Sequence, residues 1–152
     1  MKRFFALLSC LLLVFCISAC GYEEAAEDIL YRICSDAELP SGTTYLSGAP
    51  EGSSSYLAPD TLEDMYGDEA QEEVFSLVEE YAIYLSRFAK PYEVAVFKCY
   101  SVSDTDSVLE MCLERLESIK ILLRDTEYAP LADTAEVYVD GKYVIMLVMG
   151  DL

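Results

Sequence analysis

Two rhythms of hydrophobic positions run along this chain. In Glu80–Ser86, Tyr81, Ile83 and Leu85 alternate with Ala82, Tyr84 and Ser86, the period of a half-buried strand. Tyr92–Ser101 and Tyr143–Met149 are apolar at both parities, as expected of strands covered on both faces. Ala135–Val139 is a fourth alternating run, joined to Tyr143–Met149 through Asp140-Gly141, a strong hairpin signal. Between the second and third runs the rhythm lengthens. Val108, Cys112, Leu116, Ile119 and Leu123 form the apolar stripe of a long helix from Ser107 to about Arg124. Glu110, Glu114, Arg115, Glu117 and Lys120 are expected outside it, and Asp104-Thr105-Asp106-Ser107 supplies N-cap residues.

The order is therefore ββαββ. If each turn reverses the chain and the helix returns it, a strand order 1-2-4-3 makes every neighbouring pair antiparallel. The expected fold is α+β, a four-stranded antiparallel sheet with the long helix on one face. The other face would show Tyr84, Tyr100 and Tyr138 with Val144, Met146 and Val148, too apolar a surface to stay bare. Its cover is sought upstream. Gly21–Cys34 reads as an amphipathic helix with Ala25, Ala26, Ile29, Leu30 and Ile33 on one side and Glu23, Glu24, Glu27 and Asp28 opposite. Asp36–Pro59 is rich in Gly, Pro and Ser and reads as extended loop, with room for one short strand near Thr43–Leu46. A short helix capped at Asp60–Glu63 should stop at Gly67, and Asp68–Leu77 should hold a second helical piece.

The first twenty residues follow a different logic. Lys2 and Arg3 precede an apolar run, Phe4–Ile17, which meets small residues at Ser18-Ala19 before Cys20. This is the pattern of a secretory signal, and the run is short of the roughly 20 residues a membrane-spanning helix needs. Ile17-Ser18-Ala19-Cys20 resembles the lipobox of bacterial lipoproteins, which implies lipid on the Cys20 thiol and cleavage before it. The organisation expected is thus a signal peptide at 1–19, an N-terminal helix and Gly/Pro/Ser-rich segment at 20–59, and an α+β lipoprotein domain at 60–152. An ordinary signal peptide cut after Ala19 is the plainer alternative. On the lipoprotein reading the mature chain sits on the outer leaflet of the bacterial cytoplasmic membrane, facing outside.

Charge narrows the partners. The chain carries a formal −18, and loss of Lys2 and Arg3 takes it to −20. Such a charge argues against nucleic acid, whose phosphates need Lys and Arg, and against docking on anionic lipid head groups. Of six cysteines, Cys10 and Cys16 belong to the signal and Cys20 to the anchor, leaving Cys34, Cys99 and Cys112 without any Cys-x-x-Cys spacing. No zinc or redox motif is formed. The three read best as small buried apolar residues, with a Cys99–Cys112 disulfide left open.

There is no histidine, which removes Ser-His and Cys-His nucleophilic pairs and the commonest zinc ligand. No phosphate-binding or dinucleotide fingerprint is present. Asp104–Ser107 opens like a calcium loop, but its sixth and twelfth places hold Leu109 and Arg115. No catalytic, metal or cofactor residue is assigned.

Several short pieces carry a family resemblance: the lipobox, Met65-Tyr66-Gly67, Glu79–Tyr84, Tyr92–Lys98, Arg115-Leu116-Glu117, Tyr128-Ala129-Pro130 and Gly141–Val144. In this order they resemble the small bacterial lipoproteins grouped as domain of unknown function 4358, found mainly in low-GC Gram-positive bacteria. The chain departs from that pattern in extra residues between Gly67 and Glu79. The resemblance implies membrane attachment and carries no biochemistry. Two functions stand as expectations. One is an interaction module of the cell envelope, anchored to the membrane at Cys20 and holding an envelope protein, peptide or glycan. The other is a carboxylate-based envelope hydrolase. The candidate interaction face is Tyr84, Tyr100 and Tyr138, unless the upstream cover buries these rings as a second core.

Overall fold

The computed structural model describes residues 23–67, 72–87 and 90–150. Cys20, the expected anchor, lies outside them, as does the start of the expected Asp68–Leu77 helix. The described elements are α1 (Ala26–Asp36), β1 (Gly42–Leu46), α2 (Pro59–Tyr66), α3 (Glu72–Phe75), β2 (Val78–Ser86), β3 (Glu93–Cys99), a 3-10 turn (Val102–Asp104), α4 (Thr105–Leu123), α5 (Ala129–Asp133), β4 (Glu136–Asp140) and β5 (Tyr143–Val148). They build one antiparallel sheet of five strands in the order β1-β2-β3-β5-β4.

The expected four-strand count is therefore corrected. The four expected strands keep their neighbours, and β1 adds a fifth beside β2, with Thr44 opposite Tyr84. The reason lies in the sequence Gly42-Thr43-Thr44-Tyr45-Leu46. It is β-prone but too short and too flanked by Gly and Pro to announce a partner. Gly42 is required for close approach: a Cβ there would overlap the Tyr84 ring. At the opposite edge, β4 and β5 meet in a two-residue turn closed by Asp140 and Tyr143. Gly141 takes φ 59° there and Lys142 does not take a positive φ, the pattern of a type II′ turn.

Strand parity sorts the apolar residues into two cores. Ile83, Ala95, Met146 and Val137 stand level across four strands on one face. With Phe97, Cys99, Val144 and Val148 they pack against Val108, Met111, Cys112, Leu116, Ile119 and Leu123 of α4, and against Leu62 and Tyr66 of α2. One register step away, Ala82, Val96, Ile145 and Tyr138 stand level on the other face. There Ala26, Ile29 and Leu30 of α1 cover Ala82, Tyr84, Val94, Val96 and Ile145. Val144, Met146 and Val148 thus belong to the α4 face, and the expectation that they share a face with Tyr84 is corrected. The misassignment follows from β5 being apolar at both parities, which hides its phase. β3 is buried throughout, including its charged residues Glu93 and Lys98.

Two caps also differ from expectation. α2 starts two residues earlier, with Ala58 in place of Asp60 at the N-cap and Pro59 as its first residue, and has no side-chain cap; proline in the first turn gives up no intrahelical hydrogen bond. Ahead of α4, Asp104 Oδ2 accepts from the Ser101 backbone N–H (3.0 Å) and hydroxyl (2.8 Å). Asp104 thus fastens the 3-10 turn, and α4 itself has no side-chain cap.

Candidate functional site

α1 does not merely cover the sheet; its first turn is fastened to it. The Ala26 N–H, one of the donors a helix start leaves unpaired, is bonded to Glu80 Oε2 on β2 (3.1 Å). Just upstream, the Glu24 carbonyl accepts from the Tyr143 hydroxyl on β5 (2.7 Å). Glu23 reaches Lys142 in the β4–β5 turn (2.9 Å) and Lys98 at the end of β3 (3.7 Å). Lys98 is the centre of this clamp. Its side chain is only 7% exposed and its Nζ also faces Glu79 (3.3 Å) and Glu80 (3.5 Å). Burial alone would depress the Lys98 pKa, but Glu79 and Glu80 outweigh it and hold the ammonium above its ordinary value. Lys142 and, less so, Lys98 hold the Glu23 carboxyl below its ordinary value.

Beside this clamp lies a cleft of about 670 Å³, within the size range of small-ligand sites. One wall is Ala25, Ala26 and Glu27 at the start of α1; the other is the 46–55 segment, including Ser47, Pro50 and Ser53. The second wall is shaped by its own backbone. Leu46 N–H bonds the Ser55 carbonyl, Ser47 N–H bonds the Tyr81 carbonyl, and Tyr81 N–H returns to Ser47 Oγ. Glu80 and Tyr81 line the floor. The cleft is open and its lining is mostly apolar, from Leu46, Pro50, Tyr81 and small side chains, with three serines and two carboxylates among them.

A second polar group is buried on the α4 face. Glu93 accepts from Arg115 Nη2 (2.8 Å) and Nε (3.3 Å), and from the Tyr66 hydroxyl (2.8 Å). The Arg115 guanidinium stands 5.8 Å from the Tyr66 ring centre. Burial first, then the Glu93 charge, pushes the Tyr66 hydroxyl well above its ordinary pKa. Arg115, expected outside α4, is turned inward, because its long stem lets the head reach Glu93 from the edge of the stripe. This group joins α2, β3 and α4, and both Glu93 oxygens are engaged.

The three tyrosines of the expected interaction face separate. Tyr84 is 5% exposed, and its hydroxyl donates to the Pro40 carbonyl (2.5 Å). It belongs to the second core and fastens the segment leading to β1, so its place on an interaction face is corrected. Tyr100 (61% exposed) and Tyr138 (39% exposed) do face outward. They do not form one patch: Tyr138 stands level with Val96 through Ile145, and Tyr100 lies beyond the end of β3, two strands over.

Cys34, Cys99 and Cys112 are free thiols. Burial pushes Cys34 and Cys99 up to about 11 and Cys112 higher still, the state of inert core thiols. Among the described residues, no group of three or more His, Cys, Asp or Glu could hold a metal ion. Nor is any described helix long and apolar enough to cross a membrane. No family model, curated protein or solved structure matches the chain.

Proposed function

We propose that this chain is an extracytoplasmic lipoprotein, lipidated at Cys20, that acts as a binding module at the cell envelope. Its site is the cleft between the start of α1 and the 46–55 segment, and its occupant is a short stretch of envelope protein, peptide or glycan. The lipobox-like ending Ile17-Ser18-Ala19-Cys20 and the resemblance to domain of unknown function 4358 support the anchor. The cleft itself is the observation that supports the binding role: an open concave site with a mostly apolar lining, including Leu46, Pro50 and Tyr81, set with the serines Ser47, Ser53 and Ser55. Exposed hydroxyls and peptide groups suit hydrogen bonding to an extended peptide or a sugar. Glu80 favours binding over hydrolysis as the use of this cleft. One of its oxygens already accepts from Ala26 N–H and the other faces Lys98, so it acts as a structural acid.

The test is capture from intact cells that display the processed protein. Ser53→Trp should fill the cleft, and loss of the captured partner with an unchanged melting temperature is the expected result. Retention of the same partner by a folded Ser53→Trp protein would remove the cleft from the proposal. Cys20→Ala should leave an uncleaved precursor or release protein to the medium. Unchanged mass and membrane fractionation in that variant would remove the anchor.

A further inference from the structure

We infer that the end of the domain holding Tyr100 and Val102 rests on the lipid head-group layer, so that the protein has a fixed orientation on its membrane. The inference builds on lipidation at Cys20 as proposed above. Cys20 lies three residue steps before Glu23, and fully extended these steps span at most about 11 Å. Glu23 lies at this end of the fold, its carboxylate facing Lys142 and Lys98 and the next carbonyl bonded to Tyr143. The lipid must therefore lie near the end of the fold formed by the β4–β5 turn, the end of β3 and the start of α1.

That same end carries two exposed apolar side chains with no cover. β3 runs out at Cys99, whose N–H bonds the Lys142 carbonyl, and Tyr100 N–H bonds the Leu77 carbonyl. Just beyond, Tyr100 is 61% and Val102 63% exposed. A tyrosine, apolar in body and polar at its tip, suits the membrane–water boundary. Of the other strongly exposed apolar side chains, Tyr31 lies on α1, about 8 Å along the helix from Ala26, and Ile121 and Leu122 sit near the far end of α4. Leu122 lies about 25 Å along the helix axis from Thr105, more than twice the reach of the tether. Glu79, Asp104 and Asp140 share the membrane end, so contact is expected with zwitterionic head groups and not through attraction to anionic lipid.

The chain has no tryptophan, so single-tryptophan variants report position directly. Tyr100→Trp, Val102→Trp and Leu122→Trp would be purified as processed protein and reconstituted into phosphatidylcholine vesicles with or without brominated acyl chains. Mass spectrometry on each sample reads lipid on Cys20, and thermal melting checks folding. The expected result is a blue-shifted emission that brominated lipid quenches at positions 100 and 102, and no quenching at 122. A lipidated, folded protein with equal or absent quenching at all three positions overturns the orientation and leaves the anchor standing. Protein that carries no lipid on Cys20 overturns both.

Discussion

Arg115 reaches from the long helix across the edge of the core to hold Glu93 at the start of β3, with Nη2 2.8 Å from Oε2. Tyr66 closes the same carboxylate from the other side at 2.8 Å. A buried carboxylate is tolerated only when its charge and lone pairs are met, and here three elements depend on one such group.

Removing Arg115 alone should therefore hurt more than removing the whole group. Arg115→Met leaves Glu93 charged and buried, and should cost about 3 kcal/mol in urea unfolding. Glu93→Leu combined with Arg115→Met and Tyr66→Phe, which removes all three partners of the buried group, should recover most of that loss. A single variant within about 0.5 kcal/mol of the parent would show that Glu93 is already well solvated.

Tyr84 and Tyr138 should separate cleanly. Tyr84→Ala empties a position in the α1 core and should cost about 3–5 kcal/mol. Tyr84→Phe removes only the bond to the Pro40 carbonyl and should cost about 0.5–1.5 kcal/mol. Tyr138→Ala, on the exposed part of the same face, should change stability by less than about 0.5 kcal/mol. Equal losses at 84 and 138 would contradict the burial described above.

Alkaline pH should unfold this protein early. The ordinary thiol value is 9.0, and burial pushes Cys34 and Cys99 to about 11. Between those values the unfolded chain releases protons that the folded chain keeps, so stability falls as pH rises from about 9 towards 11. Below 9 both states keep the proton and the contribution is constant. Melting temperatures from pH 7 to 11 would show the decline, and Cys99→Ala should make it shallower without abolishing it, since Cys34 and Cys112 are raised as well. A pH-independent melting temperature above 9 would place these thiols in water.

The clamp on α1 has the opposite dependence. Glu23 is held below the ordinary 4.5 by Lys142 and Lys98, so its contribution is present above 4.5 and disappears as the pH falls through its lowered value. Hydrogen exchange of the α1 amides should quicken below that pH before the amides of β3 do. Lys98→Met should produce the same local loosening at neutral pH, since Glu79 and Glu80 lose their counter-charge. Uniform exchange across α1 and β3 in both conditions would mean that the helix is held by Ala26, Ile29 and Leu30 alone.

Much of this architecture is legible in the sequence where a rhythm has only one reading. The long helix shows its stripe at Val108, Cys112, Leu116, Ile119 and Leu123, all of which the structure buries. The β4–β5 hairpin is marked by Asp140-Gly141. The cover of the second face by the upstream helix follows from an apolar surface that needs one. Phase is lost where a strand is apolar on both sides, which is why Val144, Met146 and Val148 are readily placed on the wrong face. A short strand near Thr43–Leu46 is legible, but its place beside β2 is not, because five residues with glycine at one end carry no information about their partner.

The site is less legible than the fold, although one signal was present. Glu93 and Lys98 sit near either end of a strand otherwise apolar at both parities. A charge in such a strand must be buried, and a buried charge needs a partner. That reasoning predicts two polar clusters, one on each face, before any coordinates. It does not supply the partners, since Arg115, Tyr66, Glu23 and Glu79 come from four other segments. The cleft leaves no trace in the sequence, because its walls are backbone turns and small residues whose shape depends on how the 46–55 segment folds back.

The clamp at Glu23 and Glu24 also decides how this protein would carry a load. If Cys20 carries the lipid proposed above, a pull on it would reach the start of α1 and, beside it, Lys98 at the end of β3 and Lys142 and Tyr143 in the β4–β5 hairpin. β3 is flanked by strands on both sides. The force would therefore be shared among neighbouring strands before it could peel α1 from the sheet. A tether ending directly on α1 would act on a single helix, whose packing would have to resist alone.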